Sequence, residues 1–178
     1  MDFQKTVAVT PAIGIPGDFA STNTDRYHLV SGAPDQPMVA DAAGVTMGRF
    51  AILNANGTVT EKPAFASVEA SRVGFVHRVQ GSALITTWLG ENTMLVPQGR
   101  GVELFSKGDF FAIADAVTGT PARGAKVIWN PVTGGINIGA TVGAATVDTG
   151  FVLLSEAPVV AGQIVMIGRQ NPIAVGTP

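Results

Sequence analysis

The chain has 178 residues, 11 Lys and Arg against 13 Asp and Glu, a net charge of −2, and 46% hydrophobic against 13% charged residues. So much apolar content with so little net charge excludes bulk disorder. The 22 glycines and 11 prolines exclude a coiled coil or a helical bundle. The size fits one domain. The longest stretch free of both Gly and Pro is residues 18–31, and most others are half that long or less. Short strands between turns fit such spacing where long helices do not.

Residues 1–26 read as an extended N-terminal arm, and residues 27–178 as a single β-rich domain. In the arm, Pro11, Gly14, Pro16 and Gly17 prevent a helix and limit ladder hydrogen bonds. The same segment carries Phe3, Val7, Val9, Ile13, Ile15 and Phe19. An apolar extended segment needs a surface to lie on. Two remain open: its own domain, or a neighbouring subunit.

Within the domain, residues 45–53 read as a strand with Phe50 and Ile52 near its end. Asn54-Ala55-Asn56-Gly57 then turns it into Thr58-Val59-Thr60, a β-hairpin. Residues 64–71 fit a short helix or a loop. From Arg72 to Val79 the chain alternates, with Val73, Phe75, His77 and Val79 on one face and Gly74, Val76 and Arg78 on the other. Ser82 to Leu89 reads as a further strand. Residues 95–99 read as a turn into Val102 to Phe105, and Ser106-Lys107-Gly108-Asp109 as a turn into Phe110 to Ile113. Ala125 to Trp129, a turn at residues 131–135, and Ile136 to Ile138 follow. Phe151 to Leu154 and Ile164 to Ile167 close the series. A Pro followed shortly by Gly recurs at Pro97/Gly99, Pro121/Gly124 and Pro158/Gly162, which predicts three similar tight turns. The fold class expected is all-β, a compact β-barrel or sandwich with the arm attached.

Chemistry is sparse. Cysteine is absent, so there is no disulfide framework, no thiolate metal site and no Cys nucleophile. The simplest fit is a soluble protein made in the cytosol. Two histidines, His28 and His77, are too few and too far apart in sequence for a zinc site, and no metal or other cofactor is expected. His77 reads as a half-buried residue with one hydrogen-bond partner. No Gly-x-Ser-x-Gly elbow occurs. A trio of Ser82, His77 and Asp109 can be written down without support from spacing. The carboxylates, including Asp18, Asp35, Asp41, Glu91 and Asp109, sit beside turn residues and read as solvated. Cations are scattered, which argues against nucleic acid or an anionic membrane as partner. The longest charge-free stretch, residues 127–147, is broken by Gly134, Gly135, Gly139 and Gly143 and is no membrane span. The chain reads as a non-enzymatic protein whose product is a surface.

Several segments, in order, carry a resemblance. They are Thr10-Pro11-Ala12-Ile13-Gly14-Ile15-Pro16-Gly17-Asp18-Phe19-Ala20-Ser21; Gly44-Val45-Thr46-Met47-Gly48-Arg49-Phe50; Gly74-Phe75-Val76-His77-Arg78 with Ala83-Leu84-Ile85-Thr86; Val102-Glu103-Leu104-Phe105 before Gly108-Asp109-Phe110-Phe111; and Gly124-Ala125-Lys126-Val127-Ile128-Trp129-Asn130 with Thr133-Gly134-Gly135. Together they resemble the structural cement, or head decoration, proteins of tailed bacteriophages. The resemblance implies a protein of the virion's outer head surface, made in the host cytoplasm. It would bind the major capsid protein, bridge adjacent capsid subunits, and associate with neighbouring copies of itself as a homo-oligomer. The arm residues Phe3, Val9, Pro11, Ile13, Ile15, Pro16 and Phe19 are the candidate partner-binding set. An alternative from another class is a tail- or fibre-associated binding module with Trp88 and Trp129 exposed.

Overall fold

The computed structural model describes residues 13–22, 27–30, 37–79 and 94–169. Among them the regular structure is strand, apart from two single 3-10 turns at Phe65–Ser67 and Ala70–Arg72. The chain is therefore all-β. The strands are β1 (His28–Leu29), β2 (Val39–Ala40), β3 (Val45–Thr46), β4 (Phe50–Leu53), β5 (Thr58–Thr60), β6 (Val73–Val76), β7 (Leu95–Val96) and β8 (Leu104–Ile113). After them come β9 (Ala116–Val117), β10 (Lys126–Trp129), β11 (Ile136–Ile138), β12 (Val147–Leu153) and β13 (Ile164–Arg169).

The main sheet runs β2-β5-β4-β6-β8-β13-β12-β10-β11-β9, with β1 also on β8, while β3 and β7 pair separately. The path is open, so among the described residues the architecture is sandwich-like and not a closed barrel. The strand β8 joins its two halves. Its start pairs with β6, Phe75 opposite Phe105, and its end pairs with β13 from Ile164 opposite Ile113 to Arg169 opposite Gly108. Both ends of the path are two-residue parallel pairs, β2 on β5 and β9 on β11. Such short edges offer little to an aggregating neighbour.

The predicted hairpin forms as β4 and β5, with Leu53 opposite Val59. Its loop closes with Asn54 N–H on the Thr58 carbonyl at 2.8 Å. Residues 64–71 hold the two 3-10 turns and no longer helix. The three Pro/Gly segments all form β-turns: Arg100, Ala125 and Gln163 N–H donate to Pro97, Ala122 and Val160 carbonyls at 3.0–3.2 Å. The third residue of each, Gly99, Gly124 or Gly162, has a φ of 77–92°, the value a type II turn requires.

The expected turn at residues 106–109 is absent. Those residues lie inside the ten-residue strand β8. The reason is packing. Gly108 has a φ of 142°, and a side chain there would overlap the Tyr27 ring. Glycine bends the strand from one half of the sheet to the other without ending it. Asp109, read as solvated, is 2% exposed at this bend. The strand expected at Ser82 to Leu89 lies outside the described residues.

The alternation of β6 serves two cores. Val73 and Phe75 join a cluster with Phe50, Phe110, Phe151 and Ile167, which draws on both halves of the sheet. Val76 joins a second cluster with Val45, Ala51, Val59 and Leu104. All four residues of β4 and of β6 are buried, since each strand is covered on both faces. In the first core the aromatic rings meet edge to face or tilted. Phe50 and Phe75 are 5.2 Å apart, and Phe75 and Phe110 4.8 Å.

Candidate functional site

The strap, residues 13–22, crosses the bend of β8. Glycine and proline set its path. A turn closes with Asp18 N–H on the Ile15 carbonyl at 3.1 Å. From there the chain runs antiparallel to β8: Gly17 N–H donates to the Phe111 carbonyl at 2.8 Å, Phe111 N–H to the Asp18 carbonyl at 3.1 Å, and Ala20 N–H to the Asp109 carbonyl at 2.8 Å. On its other side, Arg78 N–H donates to the Gly17 carbonyl at 3.0 Å. The strap thus ties the far arm of β8 to the segment that follows β6.

The fit depends on missing side chains. A Cβ on Gly14 would overlap the Phe111 ring. A Cβ on Gly48 would lie 2.9 Å from Gly17 N and from Pro16 Cβ, tighter than real contacts allow. Glycine is needed at these places for close approach of one backbone to another.

Two neighbouring side chains then clasp two neighbouring strap residues. Arg78 Nη1 lies 3.2 Å from Asp18 Oδ1 and 3.4 Å from Oδ2. The His77 ring stacks on Phe19, centroids 4.0 Å apart and planes 20° apart. His77 Nδ1 is 3.1 Å from Glu103 Oε2. Phe19 also meets Tyr27 at 4.3 Å, and the Tyr27 hydroxyl donates to the Ser21 carbonyl at 2.6 Å and lies 3.1 Å from the Asp109 carbonyl.

The strap is inverted relative to an ordinary surface segment. Its small and stiff residues are the less exposed ones, with Gly17 buried and Gly14 and Pro16 half-buried. Its large apolar residues face outward, Ile13 59% exposed, Ile15 45% and Phe19 41%. Alongside it lies a groove of about 830 Å³, lined among the described residues by Phe19, Ala20, Ser21, Thr22 and Tyr27. A folded chain that leaves such side chains in water beside an apolar groove presents an interaction surface.

Of the sequence-derived partner set, Ile13, Ile15 and Phe19 are exposed on the strap and Pro16 is half-buried. Phe3, Val9 and Pro11 fall outside the described residues. The clasp of Asp18 and Phe19 by Arg78 and His77 was not legible in the sequence. Its only signal was the pair of glycines bracketing Pro16. Among the described residues, no acid–base or nucleophile geometry is assembled. His77 faces Glu103 and Phe19, Ser82 lies outside the described residues, and Asp109 is buried in β8. Asp18 is ion-paired, and Asp41 accepts the Ala43 N–H at 2.9 Å in a local turn. Asp35 and Glu91 lie outside the described residues. Among the described residues no three His, Asp or Glu side chains converge as metal ligands do. No described helix is long and apolar enough to cross a membrane. Trp129, expected at the surface in the tail- or fibre-module alternative, is fully buried in the first core. Trp88 lies outside the described residues.

Comparison with known proteins gives one family and one fold. A family model described as XM1 gp53 minor capsid protein matches residues 3–169. A solved chain from the capsid of the myovirus phage XM1 superposes with a TM-score of 0.60, covering 94% of this chain and 97% of that one. At 14% identity this second likeness is one of fold. No curated protein matches.

Proposed function

Since the chain belongs to the XM1 gp53 minor capsid protein family, a family of phage capsid components, we propose that it is a head cement protein. In this reading it binds the outer surface of the assembled head, bridges adjacent major capsid subunits, and acts as a homo-oligomer without enzymatic activity. It is made in the host cytoplasm and carried in the virion.

The observation that carries this reading is the inverted strap. A capsid component with Ile13, Ile15 and Phe19 about half exposed has apolar area to bury on a partner, at roughly half of the ~1.5–3 kcal/mol that full burial of a large side chain yields. The strap is already held by its own domain, so its docking orders little further chain and loses little entropy. Repeated over a symmetric lattice, modest contacts of this kind add up by multivalency and stabilise the assembled shell by linkage. The tail- or fibre-module alternative loses one of its two motivating tryptophans to the core and gains no support from the strap.

The test is reconstitution. Heads made without this protein are incubated with purified chain and imaged by electron cryo-microscopy. Regular density on the head exterior, with raised thermal resistance of the heads to DNA release, is the expected result. Density restricted to the tail, or to the inside of the shell, sinks the proposal.

A further inference from the structure

We infer that a cavity between the turn before β3 and the end of β5 binds a hard divalent cation, and that calcium is the ion its chemistry fits. The inference concerns the chain by itself and does not rest on the cement reading.

The cavity measures about 170 Å³, and Asp41, Thr46, Thr60, Glu61, Lys62 and Leu95 are among the described residues that line it. That is below the roughly 300 Å³ at which pockets for organic ligands begin. It is enough for an ion with several waters, each taking about 30 Å³. Asp41 and Glu61 are far apart in sequence, and strand pairing brings them together. Asp41 N–H donates to the Val59 carbonyl at 3.0 Å, which sets the turn of residues 41–44 beside the end of β5. Gly44 N–H closes that turn on the Asp41 carbonyl at 3.0 Å. Asp41 Oδ1 accepts the Ala43 N–H at 2.9 Å. Its Oδ2 bonds to no described residue.

Glu61 supplies the second observation. It is only 8% exposed. Its Oε2 accepts the Thr46 N–H at 2.8 Å, its one hydrogen bond to a described residue. Its Oε1 is screened from water by the β10–β11 turn, where a Cβ on Gly134 would lie 2.7 Å from it. No described Lys, Arg or His pairs with Glu61 or with Asp41, and Lys62 lines the same cavity without an ion pair to either. A carboxylate this buried is costly unless opposite charge meets it, and one N–H does not neutralise it. A cation in the cavity does.

The donor set selects the ion. No described His lines the cavity and the chain has no cysteine, which disfavours zinc and copper. No three acidic or His side chains converge among the described residues. The protein therefore offers two carboxylates and neutral oxygens, and water completes the shell. Calcium tolerates such a mixed, irregular shell, where magnesium demands a near-ideal octahedron. With two carboxylates and Lys62 close by, the site falls among the weak ones, with Kd about 0.1–1 mM.

The test uses the purified full chain, freed of metal by a chelator. Calcium chloride is titrated in by calorimetry, and Tm is compared in about 10 mM calcium chloride and in sodium chloride of equal ionic strength. One site per chain and a Tm raised by about 2–5 °C are expected. Asp41→Asn and Glu61→Gln should each weaken binding at least about tenfold. Asp41 is half-buried at the turn, so Asp41→Asn reads the site even where Glu61→Gln fails to fold. Lys62→Met removes a like charge and should tighten binding at least about threefold. No binding heat with equal Tm in both salts overturns the inference, as does binding untouched by Asp41→Asn. A Lys62→Met chain that loses stability without gaining affinity also overturns it, because Lys62 is then the counter-ion of Glu61. So does a Tm raised by methylammonium chloride and not by calcium chloride, because the cavity then takes an ammonium group.

Discussion

A methyl group at position 14 has nowhere to go, because the Phe111 ring fills its place. Gly14→Val should therefore lift the strap and leave the domain folded. The strap's three backbone bonds to β8 contribute about 0.5–1.5 kcal/mol each. Amide exchange should show Gly17 and Ala20 losing protection while Phe75 and Ile167 keep theirs. Asp148 offers a test in pH. Burial pushes its carboxyl up, but the Lys126 hydrogen bond, the Gly150 N–H and the charges of Lys126 and Arg169 outweigh this and hold it below the ordinary carboxylate range. A carboxyl held low in the folded state stabilises the fold above its unfolded value, and the contribution fades as pH falls through the folded value. The pair is exposed, so Asp148→Asn should cost only about 0.2–1 kcal/mol at pH 7. As pH falls through the folded value, the urea midpoints of the two proteins should converge. Residues of this kind explain what the sequence concealed. Gly14, Gly17 and Gly48 look like any turn glycines until the backbone opposite each is known. Asp109, between Gly108 and Phe110, has the local look of a solvated turn and is in fact buried at the bend of β8.

Elements with local causes were legible, and those with distant causes were not. The β4–β5 hairpin, the β10–β11 hairpin and the three Pro/Gly turns each follow from residues within five positions of one another. The continuity of β8 does not. Ser106-Lys107-Gly108-Asp109 has turn composition, yet β13 and Tyr27, more than fifty and eighty residues away in sequence, hold it as strand. Tertiary pairing outweighs local preference there. Gly108→Val combines a disfavoured φ, worth about 1–3 kcal/mol, with overlap on Tyr27. A fall in Tm of at least roughly 2–10 °C is expected by calorimetry. Gly99 has a positive φ but open space around a Cβ. Gly99→Ala should then fall only by the backbone term, and by less than Gly108→Val, whose side chain also overlaps Tyr27 and Phe110.

At the scale of the whole molecule, the composition that excluded helices has two uses. In the domain, Gly and Pro space the strands of a two-core sandwich. In the strap, they let the backbone sit close enough to turn its isoleucines outward. Ile13→Asp with Ile15→Asp should leave the unfolding free energy within about 0.5 kcal/mol of the parent, as exposed substitutions do. If the outward face binds the head, each copy loses about 2 kcal/mol or more, which is roughly a thirtyfold weaker attachment. Titrating variant and parent onto undecorated heads reads this directly, and equal occupancy would remove the strap from the interface. The shared strand β8 has a mechanical consequence. The strap lies antiparallel to β8, so a pull along it loads its hydrogen bonds together, in shear, and does not peel them singly. The load then passes into β8, whose six-pair ladder with β13 runs in the same direction and whose other end is anchored on β6. Tension arriving at the strap is thereby divided between the two hydrophobic cores, so that, if the chain fastens the head as proposed, a shell swelling under internal pressure would load both cores together.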